Sequence, residues 1–182
     1  MVSAAQKEQT APENGSDTRR LQFRRWEPEA DKALYNAFRR EAWYDIHGEE
    51  GVFDPEGYYC AARAASRYDT GAVTVAMLRG EPAGMLQLDL ERCAEEGVCF
   101  VPFVYMCPGM RHQGLGVQLL EQAEAIARRY GREKLRLRCA PTNHVAQRFY
   151  ARNGFRKIGM AQDSRIPLEL LEKDIKYETP QC

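Results

Sequence analysis

No stretch of this chain comes near the roughly 20 consecutive apolar residues that a membrane span needs, and residues 1–20 lack the apolar core of a signal peptide. Neither sign of charge prevails. Lys and Arg together number 26, as do Asp and Glu, so no global field draws the protein to nucleic acid or to an anionic membrane. The six cysteines (Cys60, Cys93, Cys99, Cys107, Cys139 and Cys182) show no close paired spacing of the kind that holds a metal. Cys99, Cys107 and Cys139 sit in or beside apolar runs and read as buried small hydrophobes. The expectation is a reduced, cytoplasmic protein with no metal, no membrane and no nucleic acid as partner. Internal repeats are absent as well.

What is present suffices for one domain. The chain has 182 residues, 44% of them hydrophobic and 29% charged, enough to bury a sizeable core. Residues 1–19 have little to bury and read as a disordered tail or linker; the domain is expected over residues 20–178. Leu21 and Phe23 alternate with polar residues as in a short strand. Apolar residues recur at helical spacing over residues 29–47, and Asp54 followed by Pro55 marks a helix start, with Asp as N-cap and Pro in the first turn. Two short strands, residues 72–78 and 84–90, are joined by Arg79-Gly80-Glu81-Pro82 and predict a hairpin.

Residues 98–106 are nearly all apolar and predict a buried central strand. Pro102 inside it has no N–H to donate, so a bulge or a gap in pairing is expected there. Residues 114–130 carry Leu119, Leu120, Ala123, Ile126 and Ala127 on one face, a helix closed by Gly131. A strand over residues 135–139, a short helix over 143–152 and two strands, 155–160 and 168–175, follow. The order predicts a mixed α/β sheet flanked by helices.

Two constellations carry chemistry. Arg111-His112-Gln113-Gly114-Leu115-Gly116 lies between the apolar strand and the strong helix. A helix N-terminus offers outward backbone N–H groups and a favourable dipole to an anion, and glycine lets backbone approach a ligand closely. It is no nucleotide P-loop, because Val117 follows Gly116. It is no dinucleotide fingerprint either, because Leu119 occupies the third glycine site. Further on, Asn143, Ala146, Phe149, Tyr150, Gly154 and Phe155 form the pattern N-x-x-A-x-x-F-Y-x-x-x-G-F.

With both motifs in order, residues 21–177 resemble the GCN5-related N-acetyltransferase (GNAT) family. Its pyrophosphate motif, R/Q-x-x-G-x-G/A, is matched by Arg111, Gly114 and Gly116, and Pro108 matches its usual lead-in. The resemblance implies the GNAT fold: a mostly antiparallel twisted sheet, splayed after the strand that ends near Met106. It implies an acetyl-CoA-dependent N-acetyltransferase acting on a small-molecule or peptide amine, by direct attack in a ternary complex. A homodimer is compatible with it. Val104, Tyr105 and Met106 are expected to lend backbone groups to the pantetheine arm, with an N–H near Val104 on the thioester oxygen. His112, Gln113, Gly114, Leu115, Gly116 and Val117 are expected to wrap the pyrophosphate. Asn143 and Phe149 are expected beside the pantetheine, and Tyr150 near the sulfur.

Plainer readings stand beside these. Phe149 suits core packing, Asn143 suits a helix N-cap, His112 an exposed loop and Arg111 a solvated charge. Relatives often place a glutamate five residues before the Asn, where this chain has Arg138, so the base is open. Asp89, Glu91 or a water chain to solvent are the candidates. The segment Trp43-Tyr44-Asp45-Ile46-His47-Gly48-Glu49-Glu50, with Val52-Phe53-Asp54, offers aromatics and carboxylates to a cationic amine, or else core and solvated acids. The rival from another class is a non-catalytic acyl-CoA-binding module, and a longer acyl chain is a third option.

Overall fold

A computed structural model describes residues 19–47, 52–162, 164 and 166–176. The elements run β1 (Gln22–Arg25), α1 (Lys32–His47), α2 (Pro55–Tyr68), β2 (Val73–Leu78), β3 (Glu81–Asp89), β4 (Val98–Met106), α3 (Leu115–Arg129), β5 (Lys134–Cys139), α4 (His144–Arg152), β6 (Arg156–Met160) and β7 (Glu169–Asp174). Two short 3-10 turns, Ala94–Glu96 and Pro108–Met110, had no signal in the periodicity. The tail and Cys182 lie outside the described residues.

One seven-stranded sheet has the order β1-β2-β3-β4-β5-β7-β6. Every neighbouring pair is antiparallel except β4 with β5. The hairpin from β2 to β3 turns on Arg79 and Gly80 alone, both with positive φ (53° and 82°). Such a turn matches the right-handed strand twist, so Glu81 and Pro82 already belong to β3. At α2, Asp54 caps as its sequence indicates, accepting from the Gly57 N–H at 2.9 Å with Pro55 in the first turn.

Pro102 has the effect its missing N–H demands. Gln87 pairs with Phe103 and Asp89 with Phe100, so β4 spends one residue more than β3 there. A bulge of one residue reverses which face each later side chain meets. Before it, Cys99 and Val101 join the core under α3, with Leu86, Leu88, Leu119, Leu120 and Leu137. After it, Phe103 and Tyr105 join the opposite core under α1 and α2, with Trp26, Tyr35, Phe38, Tyr59 and Met85. Val104 and Met106 thereby turn to the α3 side.

β1 is tied to α1 by a buried acid. Asp31 accepts from both Arg24 Nη1 and Nη2 (2.7 and 2.8 Å) and from the Glu27 N–H (2.8 Å). The Arg24 bonds, above all, hold its carboxyl below the ordinary aspartate range, against a burial that opposes them. Asp31→Ala is expected to cost about 1.5 to 3 kcal/mol at neutral pH, the worth of hydrogen bonds to a charged group. A carboxyl whose folded pKa is depressed adds stability above its unfolded value, about 3.9. That contribution fades as pH falls through the lower folded value. The gap between variant and wild type in urea denaturation should therefore narrow below about pH 4; a gap constant from pH 7 to 2 would rule this role out.

Candidate active site

β4 and β5 run side by side only from Val98 with Lys134 to Val101 with Leu137. From Pro102 on, β4 keeps β3 as a neighbour but has no strand on its other edge among the described residues, so the sheet splits inside β4, before the strand end at Met106. The Cys107 N–H donates to the Ala83 carbonyl at 2.9 Å. In an antiparallel ladder successive residues turn their N–H and C=O to opposite edges. Residue 105 therefore faces β3, and Val104 and Met106 direct theirs into the split. The Met106 carbonyl confirms the phase, because Arg111 Nε reaches it at 2.9 Å.

The turn into α3 closes the same side. Gly114 caps the helix with φ 78°, and His112 also sits at positive φ (64°). A non-glycine residue held there is uncommon and marks a constrained loop; nothing in the residue pattern announced it. The first N–H groups of a helix lack the regular partner four residues back; in α3 the Val117 N–H reaches the Gly114 carbonyl instead, at 3.3 Å. Leu115 is buried, Val117, His112 and Gln113 are exposed, and Gln113 Nε2 ties the loop to the Gly109 carbonyl at 2.9 Å. Gly116 is needed for a different reason than Gly114. Its backbone is not left-handed, but an added Cβ would lie 3.0 and 3.1 Å from the Phe149 ring.

α4 forms the far wall. Asn143 caps it, accepting from the Ala146 N–H at 3.0 Å. Phe149 and Tyr150 pack on the core that also takes Val104 and Met106. Their rings lie 5.3 Å apart, and Tyr150 meets Phe155 edge-on at 5.4 Å. No described residue hydrogen-bonds the Tyr150 hydroxyl. Burial pushes that phenol well above its ordinary pKa, with Cys139 adding to it. Val104, Met106, Phe149 and Tyr150 thus pack against one core, and Gly116 of α3 meets the Phe149 ring.

The Acetyltransferase (GNAT) family model matches residues 20–155. The chain belongs to the GNAT acetyltransferase family. An uncharacterised N-acetyltransferase of Lactobacillus delbrueckii subsp. lactis is 35% identical over 79 residues, 41% of this chain and 46% of that protein; the chain thus spans less than half of this relative's length. The paia N-acetyltransferase of Thermoplasma acidophilum, solved with coenzyme A, superposes at TM-score 0.66 and 20% identity, over 85% of this chain and 99% of its own. The Salmonella typhimurium protein yncA, solved with acetyl-CoA, gives 0.65 and 18% over 90% and 98%. A GNAT-family acetyltransferase of Staphylococcus aureus gives 0.70 and 15% over 86% and 100%. These structures share the GNAT fold with the open, mostly antiparallel sheet described above.

Other GNAT expectations meet the structure unevenly. Asp89 lies before the split, opposite Phe100, and its Oδ1 accepts from the Glu91 and Arg92 N–H groups (3.1 and 3.0 Å). Its carboxylate closes a turn. Glu91 lines a separate cleft of about 470 Å³ with Tyr68 and residues 92–96, and the structure does not bring it to the split. Arg111 bonds Asp45 at 3.1 Å, both partly exposed, a pair worth about 0–1 kcal/mol and easily exchanged. Trp43 is buried, stacked on His47 at 4.5 Å and near Phe53 at 6.1 Å; residues 48–51 of that loop lie outside the described ones.

Two contacts escaped the sequence reading. The Tyr105 hydroxyl donates to Glu41, and burial first, then Glu41, pushes that phenol up. Arg39 Nη1 donates to the Pro102 carbonyl at 3.1 Å, at the bulge itself. Each joins residues more than 60 apart in the chain, so no local pattern marks either.

Proposed function

We propose that this chain transfers an acetyl group from acetyl-CoA to a primary amine, by direct attack in a ternary complex. The observation that carries this reading is the unpaired edge of β4, with the Val104 N–H directed into a split whose other walls are a helix N-terminus and Tyr150. The residues present fit the co-substrate. Val104 and Met106 would pair with the pantetheine arm, with Asn143 and Phe149 beside it. Residues 112–117, at the turn into α3, would wrap the pyrophosphate, and Arg111 would trade Asp45 for a phosphate oxygen. Solved neighbours that carry coenzyme A and acetyl-CoA support the same ligand.

Acetyl-CoA, when bound, supplies an acyl group already activated as a thioester. The Val104 N–H then stabilises the carbonyl oxygen, where negative charge develops. The Tyr150 hydroxyl, kept protonated by its burial, donates to the departing sulfur. The amine must shed its proton. Asp89 is engaged in its own turn and Glu91 faces another cleft, so the proton leaves through water. The nearby thiols are poor nucleophiles, since burial pushes Cys107 up and Cys139 up to about 11, which supports transfer without a covalent enzyme intermediate.

Acetyl-CoA at 100 times its Kd should stabilise the fold by about 2.7 kcal/mol, a rise in Tm of about 5 to 11 °C for a chain of this size. Coenzyme A release across a panel of amines completes the test. No thermal shift at millimolar acetyl-CoA would overturn the assignment. A shift with no turnover on any amine would leave an acyl-CoA-binding module instead.

A further inference from the structure

A bulge leaves its extra residue without a partner in the ladder, and at Pro102 a partner comes from a helix instead. Arg39 of α1 donates from Nη1 to the Pro102 carbonyl at 3.1 Å. Its guanidinium carbon lies 4.2 Å from the centre of the Tyr58 ring and 4.4 Å from that of Phe103. Neighbouring residues of α1 grip the same stretch of β4. Tyr35 meets the Phe103 ring edge-on at 6.1 Å, and Phe38 lies 4.7 Å from Tyr105. Among the described residues of α1, only Arg39 hydrogen-bonds the β4 backbone.

This arrangement is costly. Arg39 Nε is buried with no described hydrogen-bond partner, and no carboxylate among the described residues pairs with the guanidinium. Burial pulls its pKa below the ordinary arginine value. A long apolar side chain would fill the space between two rings without that penalty, so packing alone does not account for an arginine here. Cation–π contact and a charged hydrogen bond offset part of the cost. What they secure is the bulge. Gln87 pairs with Phe103 and Asp89 with Phe100. If the extra residue moved along β4, every residue between its old and new places would change face and edge. Pro102 has no N–H with which to hold its place. Its carbonyl remains, and Arg39 takes it.

We propose that Arg39 is a positioning residue: through the Pro102 carbonyl it fixes the bulge, and with it the phase that directs the Val104 N–H into the split toward the thioester oxygen. This rests on the acetyl-transfer reading above and names a residue on which that site depends without touching the substrate.

Arg39→Met keeps a long apolar side chain between Tyr58 and Phe103 and removes the donors. In the full chain it should lower kcat on the best amine about 10- to 100-fold, with coenzyme A affinity by calorimetry little changed. The backbone amide signals of Val104 and Tyr105 in the magnetic resonance spectrum of the ligand-free variant should move, while those of β7 stay. Arg39→Lys, which can still donate to a carbonyl, should recover part of the loss. Should Arg39→Met not fold, Arg39→Gln, whose amide falls short of the carbonyl, is read by the same measures. Unchanged kcat, or a lysine variant no better than methionine, overturns the role and leaves acetyl transfer standing. So does a loss of coenzyme A affinity as large as the loss of kcat, with signals displaced throughout the sheet, which makes Arg39 a packing residue. If the wild-type chain turns over no amine, acetyl transfer falls and the amide signals decide alone: unmoved Val104 and Tyr105 signals in Arg39→Met overturn the hold on the bulge.

Discussion

Tyr150→Phe should lower kcat by about 10- to 1,000-fold, or roughly 1.4 to 4 kcal/mol of transition-state stabilisation, while acetyl-CoA affinity changes little. A free phenol has a pKa near 10 and a thiol near 8.5, so full proton transfer from tyrosine to the departing thiolate is uphill even in water. The buried setting of Tyr150 raises its phenol further, which widens that gap. The hydroxyl therefore acts by hydrogen-bond donation, and a leaving group as good as a thiolate needs only modest help. Phenylalanine keeps the ring contacts with Phe149 and Phe155, which isolates the oxygen. Turnover on the best amine, paired with acetyl-CoA calorimetry, separates the cases: unchanged kcat takes Tyr150 out of the mechanism, and a loss confined to affinity makes it a packing residue.

Gly116→Val should abolish useful acetyl-CoA binding, weakening it by at least about 100-fold, or 2.7 kcal/mol. The variant must also pay for packing. Its Cβ would press on the Phe149 ring at 3.0 Å before the two methyls are counted, and overpacking of this kind costs about 1 to 3 kcal/mol. A Tm lower by about 2 to 12 °C is expected for a chain of this size. Adding Phe149→Leu should return part of the stability without returning the binding, because the methyls still occupy the approach to the first-turn N–H groups. A folded double variant that binds acetyl-CoA like wild type would show that the α3 turn does not hold the phosphates.

Much of the site was legible because it is local. Asn143 and the Ala146 N–H are three residues apart, and Gly114 and the helix it starts are adjacent. Capping, glycine conformations and helical spacing all act over a single turn, so they leave their mark in consecutive residues. Asp54 with Pro55 and the closure of α3 at Gly131 were readable for the same reason. Pro102 could be read as a break in pairing because proline lacks an N–H wherever it stands. Which strand it would lose could not be read.

By itself the sequence determined that there would be an apolar strand, a glycine turn, a strong helix and an F-Y helix in that order, since local chemistry dictates each. The tertiary structure decided what those pieces face. The bulge at Pro102 swaps the two faces of β4, sending Tyr105 to Glu41 and Val104 to the split, and a swap of phase is invisible until the partner register with Gln87 and Asp89 is known. The same holds for the charges. Arg138 stands where relatives often place an acid and read as a departure from the pattern, yet in the fold it lines a cleft together with Phe100, Arg92 and Arg136. Coulomb interactions depend on distance in space, and residues 92, 100 and 138 come within reach of one another only when β3, β4 and β5 are side by side.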